Sequence, residues 1–306
     1  MRHFILNICA SVAALIAVLP VYAQITLKYN FKEGDTFRQN MITSMNMTQK
    51  IMDQEIKMDF SINTQMACRV KNVRDDSYTM EITHKAIIIN MVGGNNSVTF
   101  DSNTPKDTAT AQDVSPMLKA IVNKPVEIVV NSAGQVESGK GFDKLFEAMN
   151  NSLDKNISEQ TKQQMTELIK PHLSEESFKN MFMQNSIFFP GKPVSTGDRW
   201  NAKTSIAVSN FAVDVDMNMT LKSVDDSSAV IDVDGLASMP ENFEQELNGT
   251  KAKVTLKGTH KGLVKIDKDT GRIISLNATQ NLSGDIEITG MKIPITAILT
   301  KSVTDN

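Results

Sequence analysis

The sequence predicts an α+β protein dominated by β structure: two related, curved antiparallel sheets, half-barrel-like, with a helical insert between them. Three observations carry this expectation. Long stretches alternate apolar and polar residues with period two, a central stretch switches to a helical period, and short turn-and-strand segments of the first half recur in order in the second. The 306 residues carry 32 Lys+Arg against 35 Asp+Glu, a net charge of -3, and 41% are hydrophobic. That is the composition of a globular chain. The slightly acidic balance gives nucleic acid no electrostatic reason to bind, so none is expected as a partner.

The expected organisation is a signal peptide over 1–23, an N-terminal β-rich half over 24–141, a helical insert over 142–188 and a C-terminal β-rich half over 189–306. Arg2 and His3 precede an apolar run from Phe4 to Leu19, and Val21-Tyr22-Ala23 supplies small residues for cleavage. The run is too short to span a bilayer, which takes about 20 apolar residues. An exported protein is therefore expected, in the periplasm or at the outer surface of a Gram-negative bacterium, with no transmembrane segment after cleavage. Cys9 lies inside the apolar run, not at its end where a lipidated cysteine would sit. Cys68, the one cysteine beyond the leader, can form neither an intrachain disulfide nor a thiolate metal site. Its apolar neighbours at even positions point to a buried small side chain.

In the first half, Ile25 to Phe31 alternates and Lys32-Glu33-Gly34-Asp35 makes a turn. Met41, Thr43, Met45, Met47 and Ile51 share one parity. The clearest pattern follows: Ile56, Met58, Phe60, Ile62, Thr64, Met66, Cys68 and Val70 are all even, with polar or small residues between. This excludes a helix and marks one strand of a long antiparallel hairpin, apolar on one face and wet on the other. At about 3.3 Å per residue a strand from Ile56 to Val70 runs roughly 50 Å, so the sheet must twist and curl. Tyr78, Met80 and Ile82 restart the alternation, Ala86 to Met91 continues as a nearly all-apolar run, and Val98 and Phe100 form a short strand. Ser115-Pro116 reads as a helix start with Ser as cap. Val126 to Val136 reads as a hairpin.

In the insert, Phe142, Leu145, Phe146, Met149 and Leu153 stripe one helix face. Met165, Leu168 and Ile169 stripe a second helix ended by Pro171. Phe178, Met181 and Phe182 stripe a third, capped by Ser174. Helices this short need a partner for their apolar faces, and the sheets supply it. After Phe189-Pro190 the strands return: Phe211 to Leu221, Ala229 to Asp234, Lys251 to Lys257, then Leu282 to Ile288 and Met291 to Leu299 all alternate.

The halves echo one another. Gly34-Asp35-Thr36-Phe37 is answered by Gly197-Asp198-Arg199-Trp200. Val70 to Ser77 aligns without gaps to Leu221 to Ser228, and Asn131 to Val136 is similar to Lys268 to Ile273. Turns between amphipathic strands converge on Gly and Asp, so one match means little, but three in order point to a duplicated β unit. The stretch Phe189-Pro190-Gly191-Lys192-Pro193-Val194, followed by Gly197-Asp198-Arg199-Trp200, resembles a motif in exported Bacteroidota proteins of unknown function. Tyr29 to Phe37 and the Met-rich strands resemble the same family. The resemblance implies compartment and architecture and brings no activity with it.

No catalytic signature is present. His84, His172 and His260 have no partner at ligand spacing. Asp214 with Asp216, and Asp232 with Asp234, occupy the polar parity of half-buried strands and read as solvated. Asp267 to Gly271 begins like a calcium loop, but Asn277 stands where its acidic ligand belongs, so a turn suffices. Phosphate-loop and nucleophile-elbow patterns are missing. No catalytic residue, no metal and no cofactor is therefore expected. The unusual feature is methionine, 18 in all, set along the apolar parities. A packed core explains such a face. An adaptable surface for an apolar small molecule or lipid would use the same residues, Met45, Met47, Met58, Phe60, Met66, Met217 and Met219. The expected function is a non-enzymatic binding or carrier module. The alternative is a structural or assembly protein of the cell envelope, with another envelope protein as partner.

Overall fold

The computed structural model describes residues 24–51, 54–94, 96–110, 113–163, 174–208, 211–240, 243–247 and 250–305. The leader segment 1–23 and the second helix of the insert, with Met165, Leu168, Ile169, Pro171 and His172, lie outside the described residues. So do the side chains of Phe178, Met181 and Phe182.

The strands are β1 (Thr36–Ile51), β2 (Gln54–Arg74), β3 (Ser77–Gly93), β4 (Asn96–Asp101), β5 (Pro125–Asn131), β6 (Val136–Lys140), β7 (Arg199–Val208), β8 (Phe211–Val224), β9 (Ser228–Ser238), β10 (Glu244–Leu247), β11 (Thr250–Asp267), β12 (Ile273–Ile288) and β13 (Met291–Asp305). Among the described residues the helices α1 (Ser115–Ile121), α2 (Phe142–Asn151) and α3 (Glu175–Ser186) are set between these strands. The fold is β-dominated and antiparallel with few helices. All strands join one 13-stranded sheet in the order β6-β5-β3-β2-β1-β13-β12-β11-β9-β8-β7, with β4 on β3 and β10 on β11. The sheet is not closed into a barrel. The two halves thus read 6-5-3-2-1 and 12-11-9-8-7, two meanders in the same sense. β13 is the strand that fuses them, pairing β12 on one side and β1 on the other.

The echoes in sequence have the same geometry. Gly34 and Gly197 take φ of 91° and 94°, a region an L side chain enters only with strain. The Lys32 N–H donates to the Asp35 carboxylate at 2.7 Å, and the Ser195 N–H to the Asp198 carboxylate at 2.8 Å. Gly34 N–H donates to the Val70 carbonyl and Gly197 N–H to the Leu221 carbonyl. Each strand then bulges just past that residue, between Val70 and Asn72 and between Leu221 and Ser223.

The apolar parities share one face and bury two adjoining cores. One gathers Met217, Met219, Leu221, Ile231, Val254, Leu256, Leu282 and Ala297 from the second half. The other gathers Cys68, Val70, Met80, Ile82, Val126 and Ile128 with α1 and α2, whose Met117, Leu145 and Met149 are at most 1% exposed. Met41 and Phe189 pack against both. The N-terminal segment ties the halves together: Tyr29 N–H donates to Ser132 carbonyl at 2.8 Å and Asn30 N–H to Thr270 carbonyl at 3.0 Å. A Cβ at Gly271 would collide with the Lys28 carbonyl that passes there.

One local expectation is corrected. Ser115 is not the cap of α1; it is the first helical residue, and Val114 holds the cap position without a side-chain bond. The Ser115 hydroxyl accepts from Asp101 N–H, while the Asp113 carboxylate accepts Ser115 N–H. The carboxylate is the stronger acceptor for a free helix N–H, which releases the hydroxyl to tie down the end of β4.

Candidate functional site

Inward positions can be read across the second half by register. Thr43 of β1 faces Lys301 of β13, which faces Ala278 of β12. One step along, Met45 faces Leu299, Leu299 faces Gln280, Gln280 faces His260 of β11, His260 faces Gly235 of β9, and Gly235 faces Met217 of β8. β1 and β7 stand six strand spacings apart, roughly 29 Å in a flat sheet at about 4.8 Å per spacing. Yet Thr43 of β1 and Thr204 of β7 line the same cavity of about 330 Å³. The sheet therefore curls until its inner face confronts itself. Glycines make the curl possible. A Cβ on Gly258 would collide with the Asn281 carbonyl, and one on Gly284 with the Thr255 carbonyl, so strands β11 and β12 approach more closely than side chains allow.

The cavity wall is apolar over most of its area, from Met41, Met217, Leu276, Ala278 and Leu299 on the sheet and Ile187 and Phe188 just after α3. Thr43, Thr204, Gln184, His260, Gln280 and Lys301 interrupt it, and no carboxylate among the described residues lines it. Gln280 is 2% exposed, and neither its Oε1 nor its Nε2 has a hydrogen-bond partner. His260 Nδ1 is buried and equally unpartnered. Burial holds the His260 imidazole below its ordinary pKa and pushes the Lys301 ammonium down to about 8. Lys301 keeps some exposure because its stem borders the cavity, but the surrounding protein removes most of the water that would solvate its charge.

The residues expected to form a binding face are distributed unevenly. Met217 lines the cavity. Met47 and Met219 are buried in the core of the second half and do not line the cavity, with Met45 and Met58 packed against that core. Met66 belongs to the other core, beside Cys68, and Phe60 is half-buried and joins neither. Cys68 is 5% exposed and burial pushes its thiol up to about 12, so it is an inert apolar group. His84 is likewise buried and held at about 4. The Asp267 turn uses its carboxylate on the N–H groups of Asp269 and Thr270 and on the Thr270 hydroxyl. Among the described residues no three His, Cys, Asp or Glu side chains are placed to share a metal ion. No helix there is long and apolar enough to cross a membrane. Gln280 and Lys301 belong to no motif in the sequence, although both break an apolar parity: Leu276, Ala278, Gln280, Leu282, and Ile295, Ala297, Leu299, Lys301, Val303.

Fold and cavity together define an open, strongly curled antiparallel β-sheet protein with a mainly apolar internal site. The chain belongs to a family of unknown function, DUF6263, whose model matches residues 75–273. No curated protein matches the chain in sequence. Among solved structures it is similar to lipovitellin, in a study of lipid–protein interactions, at 7% identity and a TM-score of 0.47, over 90% of this chain and 25% of that one. It is also similar to the translocator domain of the autotransporter NalP from Neisseria meningitidis, at 7% identity and a TM-score of 0.20, over 91% and 90% of the two chains. The chain thus spans a quarter of the length of lipovitellin. Similarity at this level establishes no shared activity.

Proposed function

We propose that the protein is an exported, non-enzymatic binding or carrier module for an apolar, lipid-like ligand, acting in the periplasm or at the outer surface of a Gram-negative bacterium. The observation that carries this reading is the cavity of about 330 Å³ on the inner face of the sheet. Its size falls within the usual range for small-ligand sites, about 300–1,000 Å³, and so does its make-up of apolar walls with a few converging polar groups. Met41 and Met217 give that wall soft, unbranched side chains that fit varied apolar shapes. Binding is favoured over turnover by the lining itself. Among the described residues the His260 imidazole has no partner at Nδ1, and no carboxylate in the lining orients it. Export is inferred from the leader-like segment 1–23.

The assembly reading asks for a contiguous apolar patch on the outer face. Leu236, at 69% exposure, is the most open large apolar side chain among the described residues. Across the strands it is followed by Thr259, Asn281 and only then Ile298, so Leu236 and Ile298 do not form one patch. The deciding experiment is native mass spectrometry of the protein purified gently from the cell envelope, with organic extraction of the same sample. A reproducible bound mass that extracts as a lipid is expected. A clean unliganded mass that takes up no added lipid would remove the carrier reading in favour of assembly.

A further inference from the structure

We infer that the cavity takes a single-chain amphiphile with a carboxylate head, a long-chain fatty acid, held at its head by Lys301 and Gln280. This rests on the carrier reading and names the class of ligand. Lys301 stands at an inward position of β13 between Leu299 and Val303, faced across the strands by Thr43 and Ala278. It has no ion pair among the described residues, and no carboxylate lines the cavity it borders. An ammonium in that setting lacks an anion. Gln280 lacks partners as completely: it is 2% exposed, with its donor and its acceptor both unused. A buried carboxamide is rarely left so in a finished structure.

Register brings these two groups together. Ala278 faces Lys301 and Gln280 faces Leu299, so Gln280 and Lys301 are diagonal neighbours on one face. Such positions are about 7–8 Å apart, within joint reach of one small anion between two long side chains. One oxygen of a carboxylate accepts from the Lys301 ammonium and the other from Gln280 Nε2. One cation and one amide suit a monoanion with two acceptor oxygens, whereas a phosphate monoester calls for more donors. The volume of about 330 Å³ suits one acyl chain better than a two-chain lipid, and Met217, Leu276, Leu299 and Phe188 offer that chain an apolar wall.

The test is isothermal titration calorimetry at pH 7 with palmitic acid, methyl palmitate and hexadecyl phosphate, on the wild type and on Lys301→Met and Lys301→Arg, each checked for folding by its thermal midpoint. In the wild type the acid is expected to bind at least tenfold tighter than the ester. Lys301→Met is expected to abolish that preference by weakening the acid alone, and Lys301→Arg to keep it. Equal binding of acid and ester, or a preference that survives Lys301→Met, overturns the head-group assignment and leaves the carrier reading standing. Tighter binding of hexadecyl phosphate than of the acid, by tenfold or more, overturns the choice of carboxylate. Failure of all three probes takes the carrier reading down with it.

Discussion

Lys301 and Gln280 occupy inward positions that an apolar residue would fill at lower cost, and the cost is measurable. The Lys301 ammonium sits at about 8 where a free lysine titrates at 10.5, through burial alone. Among the described residues His260 is the other titratable group in the cavity, and no carboxylate there faces either of them. Between pH 8 and 10.5 the unfolded chain therefore holds more protons than the folded one, so stability rises with pH across that window. Below pH 8 the full penalty of the buried charge is present. Lys301→Met is accordingly expected to be more stable than the wild type at pH 7 by about 3 kcal/mol. The difference should close as the pH rises to 10.5, which urea titrations at a series of pH values will show; a destabilised variant at pH 7 would mean that the ammonium is paired. The methionines separate in the same way. Met219 is fully buried and does not line the cavity, so Met219→Ala is expected to cost about 2–5 kcal/mol and leave ligand affinity unchanged. Met217→Ala, on the wall, is expected to change that affinity, and calorimetry with the same lipid distinguishes the two.

At the scale of elements, the two Gly-Asp turns perform one task twice. Each glycine adopts a left-handed φ and each aspartate accepts the N–H three residues before it, setting the angle at which β1 or β7 enters the sheet. Gly34→Ala and Gly197→Ala are each expected to lose about 1–2 kcal/mol from the φ conflict. Asp35→Ala and Asp198→Ala are each expected to lose about 1 kcal/mol from the lost hydrogen bond. Chemical denaturation of the four variants checks the symmetry: a pair of unequal cost would show that the turns differ in importance despite their shared geometry. The glycines of β11 and β12 act otherwise. At Gly258 and Gly284 an added methyl meets backbone, which cannot swing aside as a side chain can. Alanine at either position is expected to flatten the sheet locally and open the cavity, seen as weaker ligand binding together with a lower thermal midpoint.

For the whole molecule, the continuous sheet makes a prediction about cooperativity. β13 pairs with β1 from Gln39 opposite Asp305 to Gln49 opposite Ile295, and the two cores meet at Met41 and Phe189. The chain carries its own reporters. Trp200, its single tryptophan, lies in the core of the second half, while Tyr29 and Tyr78 lie in the core of the first. Urea unfolding followed by tryptophan fluorescence and by tyrosine near-UV dichroism is expected to give one midpoint. Two separated midpoints would show that the halves fold independently and that the β1–β13 seam is weak.

The sequence by itself determined the β-dominated class, the inward and outward faces of the strands with clear alternation, and the turns that recur between the halves. Those properties are local: period-two alternation, left-handed glycines and Asp acceptors act within a few residues. The polar breaks at Gln280 and Lys301 were also legible as breaks, since each stands on an apolar parity. Tertiary structure alone decided what the breaks are for. Whether an inward residue meets packed side chains or a cavity depends on how far the sheet curls, and that brings Thr43 and Thr204 together from strands six spacings apart. The same long-range geometry set Met217, but not Met219 two residues on, against the cavity, although both belong to one core. It also set Met66 in a different core from both. Alternation tells which face a side chain is on, and only the closure of that face upon itself tells what the side chain touches.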